Sequence, residues 1–363
     1  MADARTGAKA INLALQGGGS HGAFSWGVLD RLLEDPRIEI EGITGASAGA
    51  MNAVALAAGF AEGDREEARA SLRRFWTGVL DEARTSPLRR SPIEAMLGGW
   101  NLDASPLFVM FDLVTRVASP YDFNPFNVNP LRDLVTQLVD FERVRKSPMK
   151  VYISATNVET GRAQVWDKRV LTADHVMASA CLPWLFQAVE IDGLPYWDGG
   201  FTGNPALWPL FDNCASDDVV LVQINPIRRP GAPTTARDII NRINEITFNA
   251  SLLRDLRAVD FVTRLIEAGR LDGTGYRRML MHAIADEDSL AELGASSKFN
   301  VEPGFIDMLF AKGRDAAEMW LRTSFRHVGQ RSTVNVRRLF QGEEDALDGG
   351  QLKPPRRKPR AAE

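Results

Sequence analysis

Cysteine is nearly absent: the 363 residues contain two, Cys181 and Cys214. Two thiols cannot build a disulfide framework, and with no CxxC pair or Cys/His cluster they give no zinc-binding pattern. Histidine is almost as sparse. The four, His21, His175, His282 and His327, are scattered, which argues against a His-rich metal site. Excess charge is missing too: 43 Lys+Arg against 47 Asp+Glu leave a net charge of -4, without the basic surplus of a nucleic-acid binder. The first residues, Met1 to Ala10, are polar and mixed in charge, with neither the apolar core nor the cleavage site of a secretory signal. Long apolar runs are lacking, except that Ile43 to Ala61 (ITGASAGAMNAVALAAGFA) is uncharged and long enough to span a bilayer. Its many glycines and alanines, with Thr44, Ser47 and Asn52, make it read instead as a buried strand, turn and helix. A cytoplasmic protein is expected. What is present is ordinary: 45% hydrophobic and 25% charged residues fit one or two soluble globular domains rather than a disordered chain.

Strand and helix signals alternate near the amino terminus. Ile11 to Leu15 (INLAL) is a short apolar run that ends in glycines, and Phe24 to Leu33 then shows helical spacing. Ile40 to Thr44 (IEGIT) reads as a second strand ending in GASAG, before a helix over Met51 to Phe60. Two such units predict an α/β protein with a largely parallel sheet and helices on both faces. From Arg84 to Pro130 prolines and aromatic residues crowd together, Trp100, Phe108, Phe111, Tyr121, Phe123 and Phe126 among them, which predicts short helices and loops. This stretch reads either as an apolar lid or groove beside a site or as a packed insertion. Strand signals return at Lys150 to Thr156 and Arg162 to Trp166 across the turn Glu159-Thr160-Gly161, at Ala188 to Ile191 and Pro195 to Trp197, and at Asp218 to Ile224. Beyond Pro230 the spacing of Ile239, Ile243, Ile246, Leu253, Leu256, Val259, Val262 and Ile266 predicts one long amphipathic helix facing a core. Pro303 to Phe325 reads as another. The closing QLKPPRRKPRAAE, with five basic residues and one acid, reads as a disordered, solvated tail, with anionic lipid as the alternative contact.

Three motifs carry chemistry. Gly45-Ala46-Ser47-Ala48-Gly49 is GxSxG between a strand and a helix. Such a turn lifts a serine hydroxyl into solvent beside a helix dipole, and small residues also let a strand and helix pack closely without any chemistry. Gly17-Gly18-Gly19-Ser20-His21-Gly22 ends the first strand. Its successive N–H groups can hold an anion, in acyl transfer the tetrahedral oxyanion. The same Gly17-x-Gly19-x-x-Gly22 matches a dinucleotide fingerprint, with Glu39 near the ribose position, although that acid should end the second strand and Glu39 precedes its apolar end. Asp198-Gly199-Gly200 follows a short strand. A serine needs a base to take its proton, and an adjacent Asp with a raised pKa can serve directly. In the order Ser…Asp…His the base would be His282 or His327, but Ser47 follows only the second strand and neither histidine sits in a catalytic-looking loop. Both read as structural, and His175 as a helical surface or packing residue. His21 reads either as orienting the glycine loop or as a surface helix position.

The ordered set GGGSHG, GASAG and DGG resembles the patatin-like phospholipases over roughly the first 210 to 230 residues. The resemblance implies a three-layer α/β/α fold with a mainly parallel sheet and a carboxy-terminal helical extension. It implies a Ser-Asp dyad in place of a triad, with Ser47 as nucleophile and Asp198 as general base. Gly17, Gly18 and Gly19 would supply oxyanion N–H groups, while Gly22, Gly45, Gly49, Gly199 and Gly200 support the motifs. His21 stands where Arg or Lys is often found, and Gly200 where alanine is commoner. The expected boundaries are a catalytic domain over 10–228 with 84–130 as lid or insertion, a mostly helical region over 229–345, and the basic tail over 346–363. The expected activity is hydrolysis of lipid carboxylic esters by a phospholipase A, lysophospholipase or lipase reaction. The substrate is the partner, with transient contact to a membrane surface and no nucleic acid, and no metal or organic cofactor is needed. A catalytically silent lipid-binding or scaffolding protein of the same fold is the alternative.

Overall fold

The two amino-terminal strand-turn-helix units form where the pattern predicts. Strand β1 (Lys9–Leu15) leads into helix α1 (Gly22–Glu34), and β2 (Ile38–Gly45) into α2 (Ala48–Glu62). The uncharged stretch 43–61 is thus the end of a strand, a turn and a helix, and among the described residues no helix is long and apolar enough to cross a membrane. This is a computed structural model that describes residues 7–84, 86, 88–96, 98–229 and 231–342. The expected tail at 346–363 lies outside the described residues.

Six more strands complete the sheet: β3 (Lys150–Asn157), β4 (Ala163–Asp167), β5 (Val189–Ile191), β6 (Leu194–Asp198), β7 (Asp218–Val222) and β8 (Leu280–Ile284). Strands β8, β7, β1, β2 and β3 run parallel in that order, and β4 pairs antiparallel with β3. β6 also pairs antiparallel with β3, at Ala155 to Asn157. A strand has two edges, and β4 already holds one of them from Tyr152 to Thr156. β6 therefore shares the other edge with β2, continuing along it beyond the point where β2 stops.

Helices cover both faces. α1, α2 and helix Pro303–Thr323 bury Leu29, Leu32, Val54 and Leu309 against one side. Leu210, Leu252, Leu256 and Leu339 pack the other side on Ala14, Val219 and Met281. The chain is a three-layer α/β/α protein. The region after residue 229 is not purely helical: β8 lies within the sheet, and Thr333 N–H donates to Met281 O at 3.0 Å.

Two expectations change in detail. Helix Ala236–Glu267 is continuous, but only its second half turns the predicted stripe inward. Leu252, Leu256 and Val259 are buried, whereas Ile239, Ile243 and Ile246 face solvent. In the first half buried polar groups take the inner face: Glu245 pairs with Arg229 at 2.7 Å, and Asn249 Nδ2 donates to Pro226 O at 3.1 Å. In the proline-rich segment, prolines start helices more than they break them. Pro92–Met96, Pro106–Val117, Pro120–Phe123 and Pro130–Leu138 each begin on a proline, where a missing N–H costs nothing.

Helix Pro303–Thr323 is locked to α1 by a crossing too close for side chains. A Cβ on Gly313 would stand 2.0 Å from Phe24 O, and one on Gly27 2.0 Å from Phe310 O. Arg314 also pairs with the buried Asp30 of α1. Gly313→Ala tests the crossing. In an exposed helix this change stabilises by about 1 kcal/mol; here it should destabilise by roughly 1–3 kcal/mol. Urea unfolding reads the sign.

Candidate active site

The chain must turn between Gly45 and Ala48 in a space that admits almost no side chains. A Cβ on Gly49 would lie 2.4 Å from Leu15 O, and one on Gly45 2.5 Å from Gly49 C. A Cβ on Gly17 would lie 2.7 Å from both Ala46 O and Ser47 Cβ, so the glycine loop and the serine turn are pressed together. Ser47 absorbs the turn at φ 53, ψ -123. This left-handed conformation is rare for a residue with a Cβ and costs about 1–3 kcal/mol. Ser47 N–H donates to Ser179 Oγ at 2.9 Å, and Ser179 Oγ donates onward to Ser154 O at 2.7 Å. The hydroxyl is left at the amino end of α2, where the helix dipole favours negative charge.

The glycine loop is held from below by buried amides. Gln16 Oε1 accepts Ile224 N–H and Asn225 N–H, each at 2.9 Å, and Asn225 Nδ2 donates to Gly17 O at 2.7 Å. Gly17 N–H donates to Asn204 Oδ1 at 2.6 Å. Of the three amides expected to form the cradle, that of Gly17 is therefore engaged. The N–H groups of Gly18 and Gly19 carry no hydrogen bond among the described residues. Gly22 lies where α1 meets α2: a Cβ there would stand 2.7 Å from Ala48 Cβ. His21 is not a surface residue. Its ring is buried, with Nε2 2.8 Å from Ser297 Oγ. Burial, aided by the nearby charge of Lys298, lowers its pKa to about 3, so the imidazole is neutral.

The sheet register brings Asp198 to the serine. Gly45 of β2 is level with Ile153 of β3, and Ser47 lies two residues further on. Asp198 is level with Ala155, two residues beyond Ile153, on the edge of β3 that β2 has just vacated. The Ser47 side chain is near enough to the Asp198 carboxyl to favour its ionised form. Asp198 is 2% exposed, and its Oδ1 accepts Gly200 N–H at 2.7 Å. Its backbone is fixed as well, through Asp198 N–H to Cys181 O at 2.8 Å and Thr156 Oγ1 to Asp198 O at 2.8 Å. Burial raises the carboxyl pKa to about 6, against the opposing pull of Gly200 N–H, Ser47 and the charge of Lys298. Gly199 packs on Ser154, whose carbonyl would stand 2.1 Å from a Cβ. At Gly200 the ring of Phe248 fills the space: a Cβ would lie 2.0 Å from its Cε1. This explains glycine at a position where the resembled family more often has alanine.

The other histidines lie elsewhere. His282 Nε2 bonds Asp218 Oδ1 at 2.8 Å and Nδ1 bonds Thr333 Oγ1 at 2.9 Å, at the start of β7, the opposite end of the sheet from Ser47. His175 closes a capping box with Thr172 and packs edge-on against Trp166. His327 follows helix Pro303–Thr323, in contact with Arg331. Glu39 is exposed near the start of β2, far from the strand end where a ribose-binding acid belongs, so the dinucleotide reading fails. A cavity of about 840 Å³ lined by Phe211, Cys214, Tyr276 and Arg277 also sits at the opposite end of the sheet. Sequence reasoning missed Ser179, Asn204, Asn225 and Phe248. Each is a common residue type in an unremarkable context, and only the fold brings them to the glycines.

A strained serine at a strand-to-helix turn, a buried carboxyl beside it and a loop with free amides, all on a three-layer α/β/α frame, define an acyl-hydrolase class of site. The family model described as Patatin-like phospholipase matches residues 13–211. The chain belongs to that family and is a lipid acyl ester hydrolase. Among solved structures it is similar to VipD from Legionella pneumophila, at 14% identity and TM-score 0.40, over 87% of this chain and 67% of that one. It is also similar to the ExoU-SpcU complex from the type III secretion system of Pseudomonas aeruginosa, at 15% identity and TM-score 0.24, over 90% of this chain and 62% of that one. A comparison with curated proteins gives no match.

The contact over Gly200 is testable by a double-mutant cycle. Gly200→Ala should destabilise the protein by about 1–3 kcal/mol. In a Phe248→Ala background the same change should cost at least about 1 kcal/mol less. Denaturant unfolding of the four proteins reads the difference, and additive costs would mean that the ring does not decide the residue at 200.

Proposed function

We propose that the protein cleaves lipid carboxylic esters through a Ser47–Asp198 dyad and an acyl-enzyme, as a phospholipase A, lysophospholipase or lipase. The observation that carries this reading is a hydroxyl presented on a strained turn beside a buried carboxyl whose pKa stands near 6. Asp198 takes the Ser47 proton as Oγ attacks the acyl carbonyl carbon. The carbonyl oxygen becomes the oxyanion, held by Gly18 and Gly19 N–H with the first amide of α2, at Ala48. Collapse of this intermediate expels the alcohol, which leaves with the proton from Asp198. Water then attacks the acyl-enzyme, Asp198 accepts its proton, and the fatty acid departs as that proton returns to Ser47 Oγ. Gly17 acts by packing in this scheme, since its N–H is spent on Asn204.

Within the proposed catalytic domain 10–228, the segment 84–130 is the lipid-facing lid. Met110, Leu113 and Val117 of helix Pro106–Val117 are 59%, 60% and 79% exposed, and Phe126 is 89% exposed. Such apolar density on a surface is costly unless something covers it. The segment is tied to the site on two sides. Phe108 packs 5.9 Å from Phe299, next to Lys298, and Gln187 Nε2 donates to Asn124 O at 3.0 Å from the loop that carries Cys181 beside Asp198. Ile243 and Ile246, on the helix that bears Phe248, are exposed as well. The protein is proposed to dock this rim on a membrane surface while substrate enters.

Three experiments follow. Ser47→Ala and Asp198→Asn should each abolish hydrolysis of a short nitrophenyl ester in folded protein, and full activity in either would refute the dyad. Because the base must be ionised and burial raises its pKa, kcat/KM of the wild type should fall as pH drops through about 6, well above the ordinary carboxylate range near 4. For the rim, Met110→Asp with Leu113→Asp should lower the ratio of vesicle to monomeric ester hydrolysis about tenfold, by removing buried apolar area. An unchanged ratio would remove the docking role.

A further inference from the structure

One cation beside the glycine loop has no part in the scheme above. Lys298 lies in the short turn Ala295–Phe299, beyond the residues that the family model matches. Its backbone is stitched to the loop: Ser20 Oγ donates to Lys298 O at 2.9 Å, and a Cβ on Gly19 would lie 2.4 Å from that oxygen. Its ammonium donates to Asn225 Oδ1 at 2.7 Å, and Asn225 in turn holds Gly17 O. That Oδ1 atom would be 3.6 Å from a Cβ on Gly18. The ammonium is therefore placed beside Gly18 through Asn225, while the Lys298 backbone abuts Gly19. On its other side it lies 5.8 Å from the Phe248 ring, which itself roofs Gly200 next to Asp198.

Burial lowers the Lys298 pKa against the opposing charges of Glu245 and Asp198, so the ammonium is only weakly held in its charged form. Among the described residues Lys298 has no carboxylate at ion-pair distance, and Glu245, whose charge it feels, is taken by Arg229 at 2.7 Å and Arg242 at 3.1 Å. The neighbouring His21 is neutral and spends Nε2 on Ser297. An ammonium has three donors, and the one bond to Asn225 leaves two. A largely desolvated cation with unspent donors is expensive to keep unless a ligand brings an anion to it. In a glycerophospholipid the phosphodiester is a few covalent bonds from the scissile ester, whereas a neutral acylglycerol brings no charge.

Resting on the Ser47–Asp198 reading, we propose that Lys298 is a specificity-determining residue: with the ester carbonyl over Gly18 and Gly19, its ammonium binds the head-group phosphate of a phospholipid. The carboxy-terminal region thus sets substrate choice for a hydroxyl and carboxyl that lie in the family-matched region. Removing the charge penalises the phosphate-bearing ester selectively, because only that substrate loses a partner.

The test compares phosphatidylcholine with diacylglycerol of the same acyl chains, both in the same neutral detergent micelles. Wild type should prefer the phospholipid. In Lys298→Met the ratio of the two kcat/KM values should fall about tenfold or more, as when one partner of a charge pair is truncated, and Lys298→Arg should keep most of the preference. Lys298→Gln replaces Lys298→Met should the latter fail to fold by thermal melting. A ratio unchanged by loss of the charge, an equal loss on both lipids, or a wild type without preference would each overturn the assignment. Ser47→Ala, run in parallel, separates the two levels: residual hydrolysis there would sink the dyad, whatever Lys298 does.

Discussion

Where β1 and β2 end, backbone lies directly against backbone, and the site depends on that contact. Leu15 O occupies the place a Cβ on Gly49 would need, and Ala46 O the place one on Gly17 would need. With no room to widen the turn, the chain crosses from strand to helix through a single strained residue, Ser47. Strain of this kind persists only where its surroundings over-determine it. Here they do: Asn204 holds the amide of Gly17, Asn225 holds its carbonyl, and Ser179 holds the amide of Ser47. The bonds that brace the loop also decide which amides remain free, because the one given to Asn204 is lost to any ligand.

Burial of Asp198 acts on stability as well as chemistry. A carboxyl with a folded-state pKa near 6 holds a proton more tightly in the native state than in the unfolded chain. The native state is therefore favoured relative to neutral pH below about 4, and that advantage is lost as pH rises through 6. Keeping the group ionised at neutral pH costs the fold on the order of 3 kcal/mol. Gly200 N–H, the Ser47 hydroxyl and the field of Lys298 all offset part of this, each by favouring the charged form. The carboxyl is thus poised between a desolvation that makes it basic enough to take a proton and three interactions that stop it staying protonated.

Much of this was legible in the sequence because it is local. The INLAL and IEGIT runs, each ending in glycine, specify parallel strands followed by helices, and GASAG marks the one turn that must lift a serine. The approach of Asp198 to Ser47 was not readable from spacing. It arises because β6 takes over an edge of β3 that β2 leaves free, a matter of register between segments more than 100 residues apart in the chain. Polar side chains on an apolar stripe misled in the opposite direction. Ile239, Ile243 and Ile246 have core spacing, yet Glu245 and Asn249 claim the inner face because they find buried partners there. His21 likewise gave no sign that Ser297 waits nearly 280 residues away to bury it.

The match to the family ends at residue 211, but the working surroundings of the site do not. Asn225 follows β7, Phe248 comes from the long helix, and Ser297 and Lys298 come from the turn before helix Pro303–Thr323. That helix crosses α1 at Gly27 and Gly313 with no space between backbones, so the turn is carried on a rigid support rather than on a loose extension. The division of labour is physical: the first part of the chain makes a strained turn and a buried carboxyl, which need only short-range sterics. The later part supplies the roof, the bracing amide and the charge, which need long-range packing. Changes after residue 211 can therefore alter what reaches the hydroxyl, and the pKa of the carboxyl beside it, without touching either group.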